Sequence, residues 1–545
     1  MLETPSGVSF FWRGTTVQTP EIYDTTLRDG LQQSGLSFTA RDRLLTARLL
    51  DQLGVDYIEG GWPGASPKDD EFFALARDEL RLEHATLTAF GSTAKAGTDP
   101  AEDPQVAGVL AAGTEVVCIV GKSSAYQVTE VLRTNLDEGL RMVRASVAYY
   151  REQGRRVFFD AEHFFDGYRF DAGYAVDVLR AAHEAGAERL VLCDTNGGAL
   201  PGPATRVVSE VAAALPGTAL GVHFHNDSGC AVASSLAAYE AGAFHLQGCL
   251  NGFGERTGNA DLCVLIPNLV LKMGTGSEAL RAGLAALGPI AHHVAEIANR
   301  AIDPRHPYVG SAAFAHKAGL HTSGLARASD AYEHVDPAAV GNTTQLLVSE
   351  LMGRSAVLSW AAERGFDVSA EAATRIVEAV KSLEHEGYVF EAAEGSFELL
   401  VRRALGWEQG FFEVDSFRSL VDDRPDEMLA EATVKIRVGD RRFVVTEEGD
   451  GPVNALDRAL RGALSTCYPE VEHIQLTDYR VRDLDSSDGT AARVRVLVEF
   501  SDGDETWGVV GVHRNIVAAS WEALTSGVVI GLLRSHGDAP GPAGS

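Results

Sequence analysis

The sequence predicts an α/β protein: a (β/α)8 barrel, then a mostly helical linker, then a C-terminal α+β domain. Three observations predict it. From about residue 20 to 270, short apolar runs alternate with amphipathic helical stretches, eight units in all. Polar residues stand just past the apolar part of run after run. Beyond residue 275 the alternation stops, and from about 428 strand-like segments return in a different order.

The candidate strands are EIYDTT (21–26), VDYIEGG (55–61), ATLTAFG (85–91), EVVCIVG (115–121), RVFFDAEHF (156–164), RLVLCDTNG (189–197), ALGVHFHND (219–227) and HLQGCLNGFG (245–254). Helical segments such as ARDRLLTARLLDQLG and YAVDVLRAAHEAGA lie between them and end near glycine, which closes a helix in the left-handed conformation. Parallel strands need such crossovers, and eight of them in about 250 residues fit a TIM barrel. A doubly wound sheet is the alternative. The polar residues favour the barrel: Asp29, Glu59, Glu162, Asp194, Thr195, His223, His225 and Asn251 each follow the apolar part of a strand. At the C-terminal face of a barrel they would meet, and in an open sheet most would point to separate places.

Residues 1–278 are therefore read as the barrel and 279–427 as mostly helical linker, carrying ALGPIAHHVAEIANRAI and AATRIVEAVKSLEHEGY around the polar stretch AHKAGLHTSGLARASDAYEHVDP. Residues 428–537 read as a β-β-α-β-β-α module able to pair with a copy of itself or bind a small effector. The last residues, 538–545, read as a disordered tail.

The formal net charge of −29 argues against a nucleic-acid or anionic-membrane surface, both of which need clustered Lys and Arg. Six scattered cysteines with no CxxC pair read as buried small hydrophobes in a reducing compartment. The N-terminus shows no basic region followed by an apolar one, and the expected location is the cytoplasm.

His223 and His225 are two apart on a strand, so both imidazoles project to one face and suit a borderline metal. Taken alone, an HxH pair is more often two polar residues at a strand end. Strands one and seven lie two apart around a closed barrel, which brings Asp29 of DTTLRDG close enough to share an ion and leaves coordination positions open for substrate. Arg28 beside it is a fixed cation for a carboxylate or an oxyanion. Glu162 is placed to orient a group or exchange a proton, and Thr195 to hydrogen-bond a carboxylate; each alone is more often a structural loop residue. NGFGERTGNADL (251–262) places Asn259 after strand eight, in a glycine-rich turn that either closes the barrel or receives an anionic group.

DTTLRDG, GVHFHND and NGFGERTGNADL, in that order, resemble the signature of the metal-dependent, acetyl-CoA-using Claisen-condensation enzymes that include 2-isopropylmalate, homocitrate and citramalate synthases. EGGWPGASPKDDEFF, LTAFGSTAKAG and FFDAEHFFDGYRFD resemble the citramalate synthase branch, and the C-terminal module resembles that family's regulatory dimerisation domain. The resemblance implies a divalent metal (Mn2+ or Mg2+, with Zn2+ as a further candidate) on Asp29, His223, His225 and Asn259. It implies that Arg28 faces the 2-oxo acid's carbonyl oxygen, that Thr195 holds its carboxylate and that Glu162 lies near the acetyl-CoA methyl. It implies that His321 and Tyr332 reach the barrel mouth from the partner subunit of a homodimer. The expected reaction joins acetyl-CoA to pyruvate, giving (R)-citramalate and CoA for isoleucine biosynthesis, with isoleucine as the expected inhibitor. The alternatives are 2-oxoisovalerate as the oxo acid, or aldolase or lyase chemistry on the same barrel. Asp160 is one departure: some citramalate and isopropylmalate synthases carry an aromatic or small residue two positions before the glutamate, where Asp160 stands in this sequence.

Overall fold

The structure is a computed structural model that describes residues 18–316, 328, 332–346, 352–407, 410–424, 427–484 and 492–537. They fall into two compact units: residues up to Phe314 with Glu333–Thr344, and the remainder.

The first unit is the barrel. Its strands are β1 (Glu21–Asp24), β2 (Tyr57–Glu59), β3 (Thr86–Ser92), β4 (Val116–Lys122), β5 (Arg156–Glu162), β6 (Arg189–Asp194), β7 (Leu220–Phe224) and β8 (His245–Gly248), and they close in sequence order. Every pairing is parallel, and β1 closes on β8 with Glu21 opposite His245 and Asp24 opposite Gly248. The helices between them start and stop where the sequence demands. Thr39 and Asp42 form a capping box that opens helix Ala40–Leu53, and Gly54 ends it at φ +87°. A Cβ on Gly54 would also lie 2.4 Å from the backbone of Ala279, so this turn needs glycine twice over.

Aromatic side chains fill the barrel interior below the strand ends. The rings of Tyr23, Tyr57, Phe158 and His245 lie with centroids 5.0–6.2 Å apart. The barrel is thus a packed core and not a pore, and its candidate site residues gather at the C-terminal side.

The second unit begins with two short segments, β9 (Ala315–His316) and β10 (Gln345–Leu346), paired in parallel. Helices Arg354–Glu363, Ala370–Glu386 and Glu394–Ala404 share a core of Trp360, Ile376, Val380, Phe390 and Phe397. Two antiparallel meanders follow: β11 (Glu413–Arg424), β12 (Glu427–Val438) and β13 (Arg441–Gly449), then β14 (Gln475–Asp483), β15 (Val494–Ser501) and β16 (Thr506–His513). Helix Pro452–Leu464 follows the first meander. It buries Ala455, Leu456, Ala459, Leu460 and Ala463, the i, i+3/i+4 stripe, in one core with Ala432, Val434 and Ile436 of β12. Helix Ile516–His536 follows the second, so the order is β-β-β-α twice, one strand more in each half than expected. The first strand starts at Glu413, ahead of 428. It escapes a sequence reading because adjacent Leu420 and Val421 are both 54% exposed, which breaks the alternation that marks a half-buried strand. Helix Ile516–His536 is long and apolar enough to cross a membrane by composition, yet it buries Leu524, Val528, Ile530 and Leu532 in the core shared with β15 and β16.

Candidate metal centre and barrel mouth

Asp29 is not at the end of β1, as expected, but five residues past it. The strand stops at Asp24, and a turn closed by the Gly30 N–H donating to the Thr25 carbonyl (3.0 Å) carries Asp29 back over the barrel. His223 is in β7, and His225 follows it in an isolated bridge to Asn259. All four side chains are buried. His223 Nε2 is 3.2 Å from Asp29 Oδ2, His225 Nε2 is 3.7 Å from the same oxygen, and the two Nε2 atoms are 3.3 Å apart.

Two of these distances, 3.2 and 3.3 Å, fit a shared cation, and the third, 3.7 Å, needs a wider angle at the ion. Donors each about 2.1 Å from one ion, at about 90–109° to each other, stand roughly 3.0–3.4 Å apart. Without an ion, one of these nitrogens has to carry a hydrogen to relieve lone-pair repulsion; a cation relieves all three contacts at once. The remaining donors also lack partners: Asp29 Oδ1 and Asn259 Oδ1 are buried with no hydrogen bond among the described residues. Buried acceptors left bare cost about 1–3 kcal/mol each, a cost that a bound cation removes. Electrostatics favour the metal-ready charge state at Asp29 and His225, while at His223 a cation has to displace a proton. Burial opposes ionisation of Asp29, but Arg28, His223 and His225 more than offset it and hold its carboxyl far below the usual range. Burial, with His223 beside it, pushes the His225 imidazolium down to about 3, leaving a neutral ring. Burial works against charge on His223 too, but Asp29 outweighs it and raises this group.

Arg28 lies against this centre. Its Nε donates to Glu59 Oε2 at 2.5 Å, its Nη1 is 3.5 Å from Asp29 Oδ2, and its Cζ sits 3.9 Å from the Phe90 ring centroid. Glu59 is fully buried and also accepts the Tyr23 hydroxyl (2.8 Å). One guanidinium edge is therefore clamped by a carboxylate, and its Nη2 has no hydrogen-bond partner among the described residues.

At the far side of the mouth, Glu162 ends β5. Lys122, its cross-strand partner at the end of β4, is 2.7 Å from Glu162 Oε2. Thr195 follows β6 and accepts the backbone N–H of His163 (2.9 Å) through its hydroxyl oxygen. Asn251 serves the turn: at φ +58° it donates to the Ala291 carbonyl (2.9 Å). Asp194 likewise accepts the N–H groups of Gly198 and Ala199. The glycine-rich turn does not stand alone, because its Arg256 bonds both oxygens of Asp227 (2.8 Å each) and the Thr195 carbonyl (2.8 Å). Of the two residues expected from a partner subunit, His321 lies outside the described residues. Tyr332 is a turn residue, 44% exposed.

Three family models match in succession: HMGL-like over residues 19–283, homocitrate synthase post-HMGL domain-like over 308–388, and the LeuA allosteric (dimerisation) domain over 391–531. The (R)-citramalate synthase of Streptomyces coelicolor is 50% identical over 519 residues, spanning 94% of this chain and 97% of its own. Those of Synechocystis and Aquifex aeolicus are 48% and 46% identical, each over 94% of this chain and over 96% and 98% of their own. The chain belongs to the (R)-citramalate synthase family.

In this citramalate synthase family member the sequence reading missed four residues that shape the centre. Gln247 lies in β8 and accepts from His223 Nδ1 (2.9 Å) while donating to Asp160 Oδ1 (3.0 Å). Lys122 pairs with Glu162. His163 adopts left-handed backbone at φ +58°, and Tyr23 braces Glu59. Gln247 was recoverable, since it stands two residues after His245 on one strand and so shares its inward face. The left-handed backbone of His163 leaves no mark in composition or spacing.

Proposed function

We propose that this chain is a citramalate synthase: it condenses acetyl-CoA with pyruvate, adds water across the thioester and releases (R)-citramalate and CoA. The observation that carries the reading is the convergence of Asp29, His223, His225 and Asn259 beside the clamped guanidinium of Arg28. A divalent cation held by those four side chains supplies Lewis-acid polarisation of the 2-oxo acid's carbonyl. Two nitrogen and two oxygen donors suit Mn2+ or Zn2+ better than Mg2+, which prefers oxygen.

Around it each side chain has one task. Arg28 presents its free Nη2 edge to the carbonyl oxygen and neutralises the negative charge that develops there as the new carbon–carbon bond forms. Thr195 donates its hydroxyl hydrogen to the substrate carboxylate. A base removes a proton from the acetyl methyl; His321 takes that role, assisted by Tyr332 or Glu162. Water then attacks the thioester carbonyl and CoA leaves as the thiol, which makes the condensation effectively irreversible. We assign dimerisation and isoleucine inhibition to the segment that matches the allosteric (dimerisation) domain, and a cytoplasmic location to the enzyme.

The test offers the purified full chain, with Mn2+ and acetyl-CoA, pyruvate, 2-oxoisovalerate, 2-oxobutyrate and 2-oxoglutarate in turn, and follows free CoA thiol. Pyruvate should give the highest kcat/KM. Thiol release only with 2-oxoisovalerate would move the chain to isopropylmalate synthesis, and release with none of the four would end the synthase reading.

A further inference from the structure

The surroundings of Asp160 give it work. It is buried inside β5: Oδ1 accepts the Gln247 amide (3.0 Å), and the buried Cys118 thiol and Glu59 carboxylate lie within 4.8 Å of it. Gln247 is fully buried in β8 and stands between Asp160 and His223 of β7.

With Asp160 as a carboxylate, the hydrogen-bond polarity along this chain has one solution. A carboxylate only accepts, so the end of the Gln247 amide facing Asp160 is the NH2. The end facing His223 is then the oxygen, which also only accepts. The ring nitrogen 2.9 Å from it, Nδ1, must carry the hydrogen. A neutral imidazole protonated at Nδ1 has its lone pair on Nε2, the atom 3.2 Å from Asp29 Oδ2 and 3.3 Å from His225 Nε2. His225 has no equivalent brace, for its Nδ1 is buried without a partner among the described residues.

We infer that Asp160, acting through Gln247, is a positioning residue that fixes the tautomer of His223 and so presents its Nε2 lone pair to the metal. The inference rests on the reading of Asp29, His223, His225 and Asn259 as a metal centre, and it adds a residue on β5 that acts through Gln247. Asp160→Asn tests it with almost no change in shape. An amide at 160 can donate as well as accept, so the Gln247 side chain is free to turn its NH2 towards His223. That orientation needs an acceptor at Nδ1, moves the hydrogen to Nε2 and blocks the ligand. Asp160→Asn/Gln247→Glu restores the polarity by a different route: the new amide at 160 donates to the new carboxylate at 247, which accepts from Nδ1.

The experiment measures the Mn2+ dissociation constant of the full chain by calorimetry for the wild type, His223→Ala, Asp160→Asn and the double variant. Outer partners of a ligating histidine typically contribute 10–100-fold in affinity, so Asp160→Asn should bind roughly 10–100-fold more weakly and the double variant should recover most of that loss. A single variant with wild-type affinity, or a double variant no tighter than the single, overturns the inference. Nitrogen-15 NMR of the metal-free protein at pH 9 reads the tautomer directly. The wild type should carry the His223 hydrogen on Nδ1 and Asp160→Asn should shift it to Nε2; a wild type protonated on Nε2 overturns the inference whatever the variants do. Wild-type protein that binds no Mn2+, or His223→Ala that binds it equally well, removes the metal-centre reading instead, and the NMR result still decides the relay.

Discussion

His163 donates its backbone N–H to the hydroxyl oxygen of Thr195 at 2.9 Å, and it does so from left-handed backbone at φ +58°. That conformation costs a non-glycine residue about 1 kcal/mol or more, and here it ties the end of β5 to the end of β6. Because the oxygen accepts, the hydroxyl hydrogen is left to donate. In the proposed reaction its acceptor is the pyruvate carboxylate. Thr195→Val should therefore lower kcat/KM for pyruvate roughly 10–100-fold, since hydrogen bonds to charged groups are worth about 1.5–3 kcal/mol. Thr195→Ser should keep most of the activity. Steady-state kinetics with pyruvate varied check this, and an unimpaired valine variant would take Thr195 out of the substrate site.

Lys122 and Glu162 end neighbouring strands and meet at 2.7 Å, with both side chains only 21–24% exposed. Glu162 Oε1 is also 3.8 Å from His163 Nε2, so the lysine holds one oxygen and leaves the other at the mouth. If Glu162 assists proton transfer, Glu162→Gln should lower kcat roughly 100-fold or more. Lys122→Met should lower kcat by a smaller factor, about tenfold, with the KM for pyruvate little changed, and Lys122→Arg should restore part of it. Equal kcat in wild type and Lys122→Met would mean that the pair only packs the strand ends.

How much of this was legible in the sequence depended on how local each relationship is. The eight barrel strands were readable because each is a short apolar run bounded by helix signals. His223 and His225 were readable because a period of two settles which face a strand residue takes. Asp29 was readable as a ligand but not in place, since nothing in DTTLRDG says that the strand ends at Asp24 and a turn carries the carboxylate on. The Arg28–Glu59 clamp joins residues 31 apart, and the Gln247–Asp160 contact residues 87 apart. Such contacts appear only once the barrel closes. The work of Asp160 is not legible in the sequence, because its partner is an amide on another strand. β11 was hidden by exposed neighbours that spoil its alternation, while the stripe of helix Pro452–Leu464 was plain.

The opposite end of the barrel makes a pH prediction. Glu21, at the start of β1, accepts from Arg189 Nε (2.8 Å) and Nη2 (2.6 Å) and lies 3.2 Å from His245 Nδ1. Burial raises its carboxyl, but Arg189 and then His245 more than offset this and bring it from 4.5 down to about 2. A carboxyl depressed in the folded state contributes stability that is fully present above its unfolded value and is lost as pH falls through the folded value. Glu21→Gln should cost on the order of 1–3 kcal/mol at pH 7, leaving a largely buried Arg189 without its carboxylate. The gap to wild type should narrow as pH falls from 4.5 towards 2. Urea unfolding of the barrel transition at pH 7 and pH 3 measures both gaps, and equal gaps would show that this pair does not carry the stability assigned to it.

Gly527 and Phe500 set the closest packing in the second meander. A Cβ on Gly527, midway along helix Ile516–His536, would lie 2.0 Å from Phe500 Cε2. The ring has little room to retreat: Phe500 is fully buried, it stacks at 6.3 Å on Trp507, and the Trp507 indole donates to the Gly527 carbonyl at 3.0 Å. Helix propensity alone would make Gly527→Ala stabilising by about 1 kcal/mol. Overpacking opposes it with a cost of typically 1–3 kcal/mol, more where the neighbour cannot yield, so the net effect should be a loss of stability. Phe500→Leu on its own leaves a cavity and also destabilises. Combined, the smaller side chain makes room for the new methyl, so the double variant should be more stable than the sum of the two single losses predicts, by about 0.5–3 kcal/mol of coupling. Thermal unfolding of the four proteins closes that cycle. An alanine variant that melts at or above the wild-type temperature would mean that helix and sheet stand further apart than 2.0 Å implies, and that propensity wins at this site.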